Sequence, residues 1–150
     1  MPIVTGRPPT TAQLMRLQST IYTAFQTGNA GSLQAVTTTE TDCLGCSVSV
    51  VTATAANWMI TAFFDFDVTA TGAAIAVGRL NVDGTTITGA EAHLSGSSVT
   101  RSTPGQVWSG AFSAAGTHPV KLRIIKSAAA ATINCTDLHT RFVLTVIEVV

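Results

Sequence analysis

The sequence predicts a mainly β chain: a jelly-roll-like antiparallel β-sandwich, preceded by an extended arm and one short α-helix. Three observations carry this. From Leu33 onward the apolar residues recur with a period of two. β-Branched residues crowd the segments so patterned. Turn residues interrupt them about every 8–12 residues, the rhythm of a sandwich.

The arm comes first, over residues 1–9. Pro2, Gly6, Pro8 and Pro9 oppose regular structure there. Thr10 is a favourable N-cap, and Gln13 three residues later completes a capping box. The helix is expected over residues 10–28, with Gly28, Asn29 and Gly31 to stop it. Leu14, Leu17, Ile21 and Ala24 are spaced 3, 4 and 3, and Phe25 widens the stripe. A helix this short needs a packing partner. Either it lies across its own sandwich, or it joins copies of the chain at a symmetry axis. The apolar composition favours the second, which makes Leu14, Leu17, Ile21 and Phe25 the candidate oligomer interface.

The sandwich domain follows over residues 33–150. Cys46–Thr54 is rich in β-branched residues. In Trp58–Val68, Trp58, Ile60, Ala62, Phe64, Phe66 and Val68 share one face, and Met59, Thr61, Phe63, Asp65 and Asp67 the other. Ala73–Val82 and Thr85–Leu94 form a hairpin about Asp83-Gly84, a type I′ turn signal. Gly96–Gly105 reads as a loop. Gln106–Ala114 and Thr117–Lys126 pair across Ala115-Gly116, with Lys121 and Arg123 pointing outward. Ala128–Asn134 is a short strand. His139–Val149 is apolar on both faces, so it is central or faces another subunit.

Composition narrows the function. Only 11% of the 150 residues are charged, and the formal net charge is zero. Most soluble domains are about 25% charged. A surface so neutral implies burial against partner chains. It also argues against nucleic acid, which demands a basic patch. No run approaches the roughly 18 apolar residues of a membrane span, and no signal peptide is legible. The expectation is therefore no membrane partner and assembly in the cytoplasm of the producing cell.

Few residues invite chemistry. Cys43 and Cys46 form a CxxC, and Cys135 with His139 would complete a split Cys3His zinc site. A disulfide to Cys135 is another option, and ordinary reduced, buried cysteines are the favoured one. Asp65 and Asp67 read as a solvated strand face. His93 and His118 have no evident partner. There is no nucleophile elbow, zinc-protease motif or phosphate loop, so the expectation is no enzyme, no catalytic residues, no cofactor and no metal. Trp58 and Trp108 fall in phase with core residues, which lowers the case for a glycan-binding surface.

The stretch TPGQVWSGAFSAAGTHPVKLRIIKSAAAATINC, followed by HTRFVLTVIEV, resembles small jelly-roll virion proteins of tailed bacteriophages, the head decoration and minor tail proteins. Their fold is similar to trimeric tumour-necrosis-factor-like sandwiches. The resemblance implies a homotrimeric structural protein of the virion exterior, without catalysis, that cements or decorates capsid or tail. Its partners would be the major capsid or tail protein. The arm, with Pro2, Ile3, Val4 and Arg7, would supply extended backbone for docking to the particle. A receptor- or glycan-binding tail module is the alternative.

Overall fold

The computed structural model describes Pro8, Thr10, Thr11, Leu14 and residues 19–25 and 33–148. Twelve strands order these residues: β1 (Thr20–Phe25), β2 (Leu33–Ala35), β3 (Thr41–Thr52), β4 (Ala56–Phe63), β5 (Phe66–Ala70), β6 (Ile75–Val82), β7 (Thr85–Ser95), β8 (Thr100–Ser102), β9 (Gly105–Phe112), β10 (Gly116–Lys126), β11 (Thr132–Thr136) and β12 (Arg141–Glu148). They form three antiparallel sheets, β1-β12-β4-β9, β2-β11-β5-β8 and β3-β10-β6-β7. The mainly β sandwich predicted from the period of two is the fold observed.

The first two sheets are one layer with a corner. β4 runs on into β5, β8 into β9, and β11 into β12, while the strand orders stay matched. The expected Trp58–Val68 strand is therefore two strands, broken at Phe64-Asp65. Its inward set survives the break: Trp58, Ile60, Ala62, Phe64, Phe66 and Val68 are all buried. They pack against Leu80, Val120, Leu122 and Ile124 of the facing sheet β3-β10-β6-β7. Phe64 stacks on Phe66, with centroids 5.8 Å apart. Gly78 gives the Phe64 ring its room, since a Cβ there would lie 2.5 Å from the ring. At one edge the layers close, where Trp108 Nε1–H donates to the Ala90 carbonyl at 2.8 Å.

The N-terminal element differs from expectation. Thr11 and Leu14 are helical, and the Leu14 N–H donates to the Thr10 carbonyl at 3.0 Å, so one turn begins at the expected N-cap. Yet Thr20–Phe25 is an edge strand, paired with β12 from Thr20↔Val146 to Phe25↔Arg141. A helix over 10–28 is thereby corrected. The reason is non-local: β12 offers an open row of backbone donors and acceptors, and Thr20, Ile21, Tyr22 and Thr23 fit a pleated strand well. Inside and outside now alternate by two, with Ala24 buried and Ile21 exposed.

Local turn chemistry behaves as its residues dictate. Asp83 and Gly84 both have positive φ, 51° and 81°, as a type I′ hairpin requires. Gly45, at φ 74°, does something less expected. It sits in a bulge where Cys43 to Cys46 oppose the single residue Leu122, between Asp42↔Arg123 and Ser47↔Lys121. In a regular strand, residues three apart face opposite sides. The bulge turns both cysteines inward.

Candidate functional site

The corner of the bent layer is held by a buried carboxylate. Asp65 was expected on a solvated face; instead its side chain is fully buried. Arg101 Nε donates to Oδ1 at 2.9 Å and Nη2 to Oδ2 at 2.5 Å, a bidentate pair. Thr136 Oγ1 donates to Oδ2 at 2.5 Å. The Asp65 N–H donates to Thr140 Oγ1 at 2.9 Å, and its carbonyl accepts from the Thr136 N–H. Burial pushes the carboxyl pKa up, but Arg101 and Thr136 outweigh it and hold it below the ordinary value. Every polar atom of Asp65, backbone and side chain, has an internal partner, so this carboxylate serves the fold.

The thiols lie behind this corner. Cys43, Cys46 and Cys135 are buried and reduced. Cys135 Sγ lies 3.3 Å from Thr140 Oγ1, and Cys46 Sγ donates to the Thr140 carbonyl at 3.8 Å. Hydrogen bonding with Cys135 and Cys46, and then burial, push the Cys43 pKa strongly up. His139 is exposed, outside the thiol group. Among the described residues no set of three His, Cys, Asp or Glu side chains is placed to hold a metal ion. All three thiols are expected to resist a charged aromatic disulfide reagent in the folded protein and to react together after denaturation. A thiol titrating at once under native conditions would contradict this packing.

The histidines have partners after all. His118 stacks on Phe112 with centroids 4.0 Å apart; Nδ1 meets Asp83 at 2.8 Å and Nε2 meets the Ala114 carbonyl at 3.2 Å. Both its nitrogens are engaged. His93 Nε2 lies 3.0 Å from Glu91.

The two outer faces of the sandwich differ sharply. On β3-β10-β6-β7, Arg79 binds Glu91 at 2.7 Å and Glu40 at 3.2 Å. Arg123 binds Glu40 and Asp42, and Lys121 binds Asp42 at 2.7 Å. Burial alone would raise the Glu91 pKa; His93 and Arg79 prevail and lower it. Three acids and three bases cancel in this network, leaving no excess charge for a polyanion.

The outer face of β1-β12-β4-β9 mixes exposed apolar side chains with hydroxyls and carries almost no charge. One row across the four strands reads Ile21, Thr145, Met59, Ser109, and the next Thr23, Val143, Thr61, Val107. Ile21 is 65% exposed, Val107 53% and Met59 52%. Phe63, Val143 and Ile147 are also exposed. Among the described residues the single charge on this face is Arg141, in the neighbouring row beside Phe63, with its guanidinium 5.8 Å from the centre of the Phe63 ring. The doubly apolar character of His139–Val149 anticipated this face; the contribution of β1 was hidden by its helical spacing.

The predicted interface residues fare unevenly. Leu14 is exposed. Ile21 is exposed too, but on a strand, so it cannot continue a helical seam from Leu14. Phe25 ends β1. Leu17, and the docking residues Pro2, Ile3, Val4 and Arg7, lie outside the described residues.

No family model matches the chain, and no curated relative does. Solved structures do. A chain from the structure of the infectious bursal disease virus Gt strain superimposes with a TM-score of 0.51 at 11% identity, over 89% of this chain and 38% of that one. The Gx strain gives 0.48 at 11% identity, over 87% and 33%. Dimeric latent PorU from Porphyromonas gingivalis gives 0.48 at 10% identity, over 85% and 12%. This chain thus spans well under half the length of these similar chains, and at such identities what it shares with the first of them is the β-sandwich fold.

Proposed function

We propose that the chain is a non-enzymatic structural protein of a virion, placed on the exterior of a tailed-phage particle, where it cements or decorates capsid or tail as a homotrimer. The observation that carries the reading is the nearly uncharged, four-stranded outer face, which exposes large apolar side chains, on a sandwich whose fold recurs in a chain of a virus structure. The neutral composition and the resemblance of Gln106–Val149 to phage virion proteins support it. The glycan-binding alternative loses its usual platform, since Trp58 and Trp108 are buried.

The arm residues Pro2, Ile3, Val4 and Arg7 dock to the capsid or tail protein in this reading. Purified particles of the encoding virus are expected to contain the chain by mass spectrometry, with antibody label on their outside. Removing Met1 to Pro9 is expected to leave a folded oligomer that no longer decorates particles. Absence of the chain from particles would overturn the reading, and full decoration by the truncated chain would overturn the role of the arm.

A further inference from the structure

We infer that the outer face of β1-β12-β4-β9 is the surface on which a second copy of this chain packs. The inference rests on the reading above in taking the chain to be an oligomer.

Size is the first argument. Four strands about 4.8 Å apart and about 27 Å long present roughly 500 Å². Covering that face on one copy with matching surface from another buries about 1,000 Å² in total, the lower bound of a specific interface. A patch of this extent matches the largest that a typical monomer exposes, and such patches are often functional.

Charge is the second. Arg141, beside the Phe63 ring of its own chain, is the one charge among the described residues of the face, so the face offers a charged partner little to pair with. A densely charged partner would lose hydration here and find only one cation to pair with. A partner with few charges fits, and this chain is one: its charged residues are few, and six of them neutralise one another on the opposite face. Threonines interleave with the aliphatic side chains in every central row, which keeps the face soluble before association and gives it hydrogen-bonding groups afterwards.

The test uses the full chain. Met59→Lys with Val143→Lys places two ammonium groups at the centre of the face, on side chains that point to solvent within one copy. Mass by light scattering, circular dichroism and melting temperature are read on one sample. Wild type is expected to be an oligomer. The double variant is expected to be a β-rich, cooperatively melting monomer, with association weakened about a hundredfold or more and a melting temperature that no longer depends on protein concentration. Val99→Lys, at an exposed loop position, is expected to keep the wild-type mass.

An oligomer that survives the double substitution overturns the inference, and so does a monomeric wild type. A monomeric wild type whose double variant melts lower would mean that the face is covered within one chain. A monomer that binds particles, and loses that binding in the double variant, would give the face to the capsid or tail protein. In that case the virion reading stands without its homotrimer, while this inference falls. An oligomer disrupted as expected, but absent from particles, separates the two the other way.

Discussion

Replacing Arg101 with Met is expected to reverse the acid response of the protein. In the native chain the carboxyl of Asp65 titrates below its ordinary value of 3.8. Its contribution to stability is fully present above that unfolded-state value and is lost as pH falls through the lower, folded-state one. Without Arg101 the carboxylate stays buried but loses its bidentate partner, so burial dominates and its pKa rises. The folded state then holds the proton more tightly than the unfolded state does. Stability now falls as pH rises above about 4. At neutral pH the loss is expected to be about 3 kcal/mol, at the low end for a broken buried pair because Arg101 is itself partly exposed. That corresponds to about 6–12 °C in Tm for a chain of this size. Thermal melts at pH 4 and pH 7 check it. A variant with the wild-type pH trend would show that Asp65 does not hold the corner by its charge.

Phe64→Ala is expected to be the most damaging single core change, costing about 3–5 kcal/mol. The ring is fully buried where β4 gives way to β5, stacked on Phe66 and seated over Gly78. Gly78→Val alone is expected to cost about 1–3 kcal/mol, because its new methyl groups enter space that the ring fills. Together the two should cost less than their sum by about 1–3 kcal/mol, since the valine occupies part of the cavity. Denaturant melts of the four proteins measure this coupling. Strict additivity would mean that Phe64 and Gly78 do not share that space.

Much of the fold was legible because strand pattern is a local property. The alternation from Trp58 onward named the buried face correctly even across the break at Phe64-Asp65. Asp83-Gly84 marked its hairpin because only a few residue types tolerate positive φ at both positions. Lys121 and Arg123 were placed on an outer face, and they are there. Asp65 was misplaced because its alternation puts it outward, while the corner folds Thr136, Thr140 and Arg101 over it. Those partners lie 36 to 75 positions away along the chain.

The same limit explains the N-terminus. Thr10 does begin a helical turn, and the spacing of Leu14, Leu17 and Ile21 is a genuine helical signal. It carries no information about β12, whose open edge takes Thr20–Phe25 as a strand. The CxxC likewise says nothing of the bulge at Gly45 that turns both thiols inward towards Cys135. By itself, then, the sequence determined the class of fold, the core faces, the hairpin turn and the neutral surface, each set by neighbours within a few residues. Tertiary structure decided which segments share a sheet, which polar groups are buried, and that one outer face is charged and paired while the other exposes apolar and hydroxyl side chains with almost no charge. Those depend on hydrogen bonds and burial between residues far apart in the chain, and no local period encodes them.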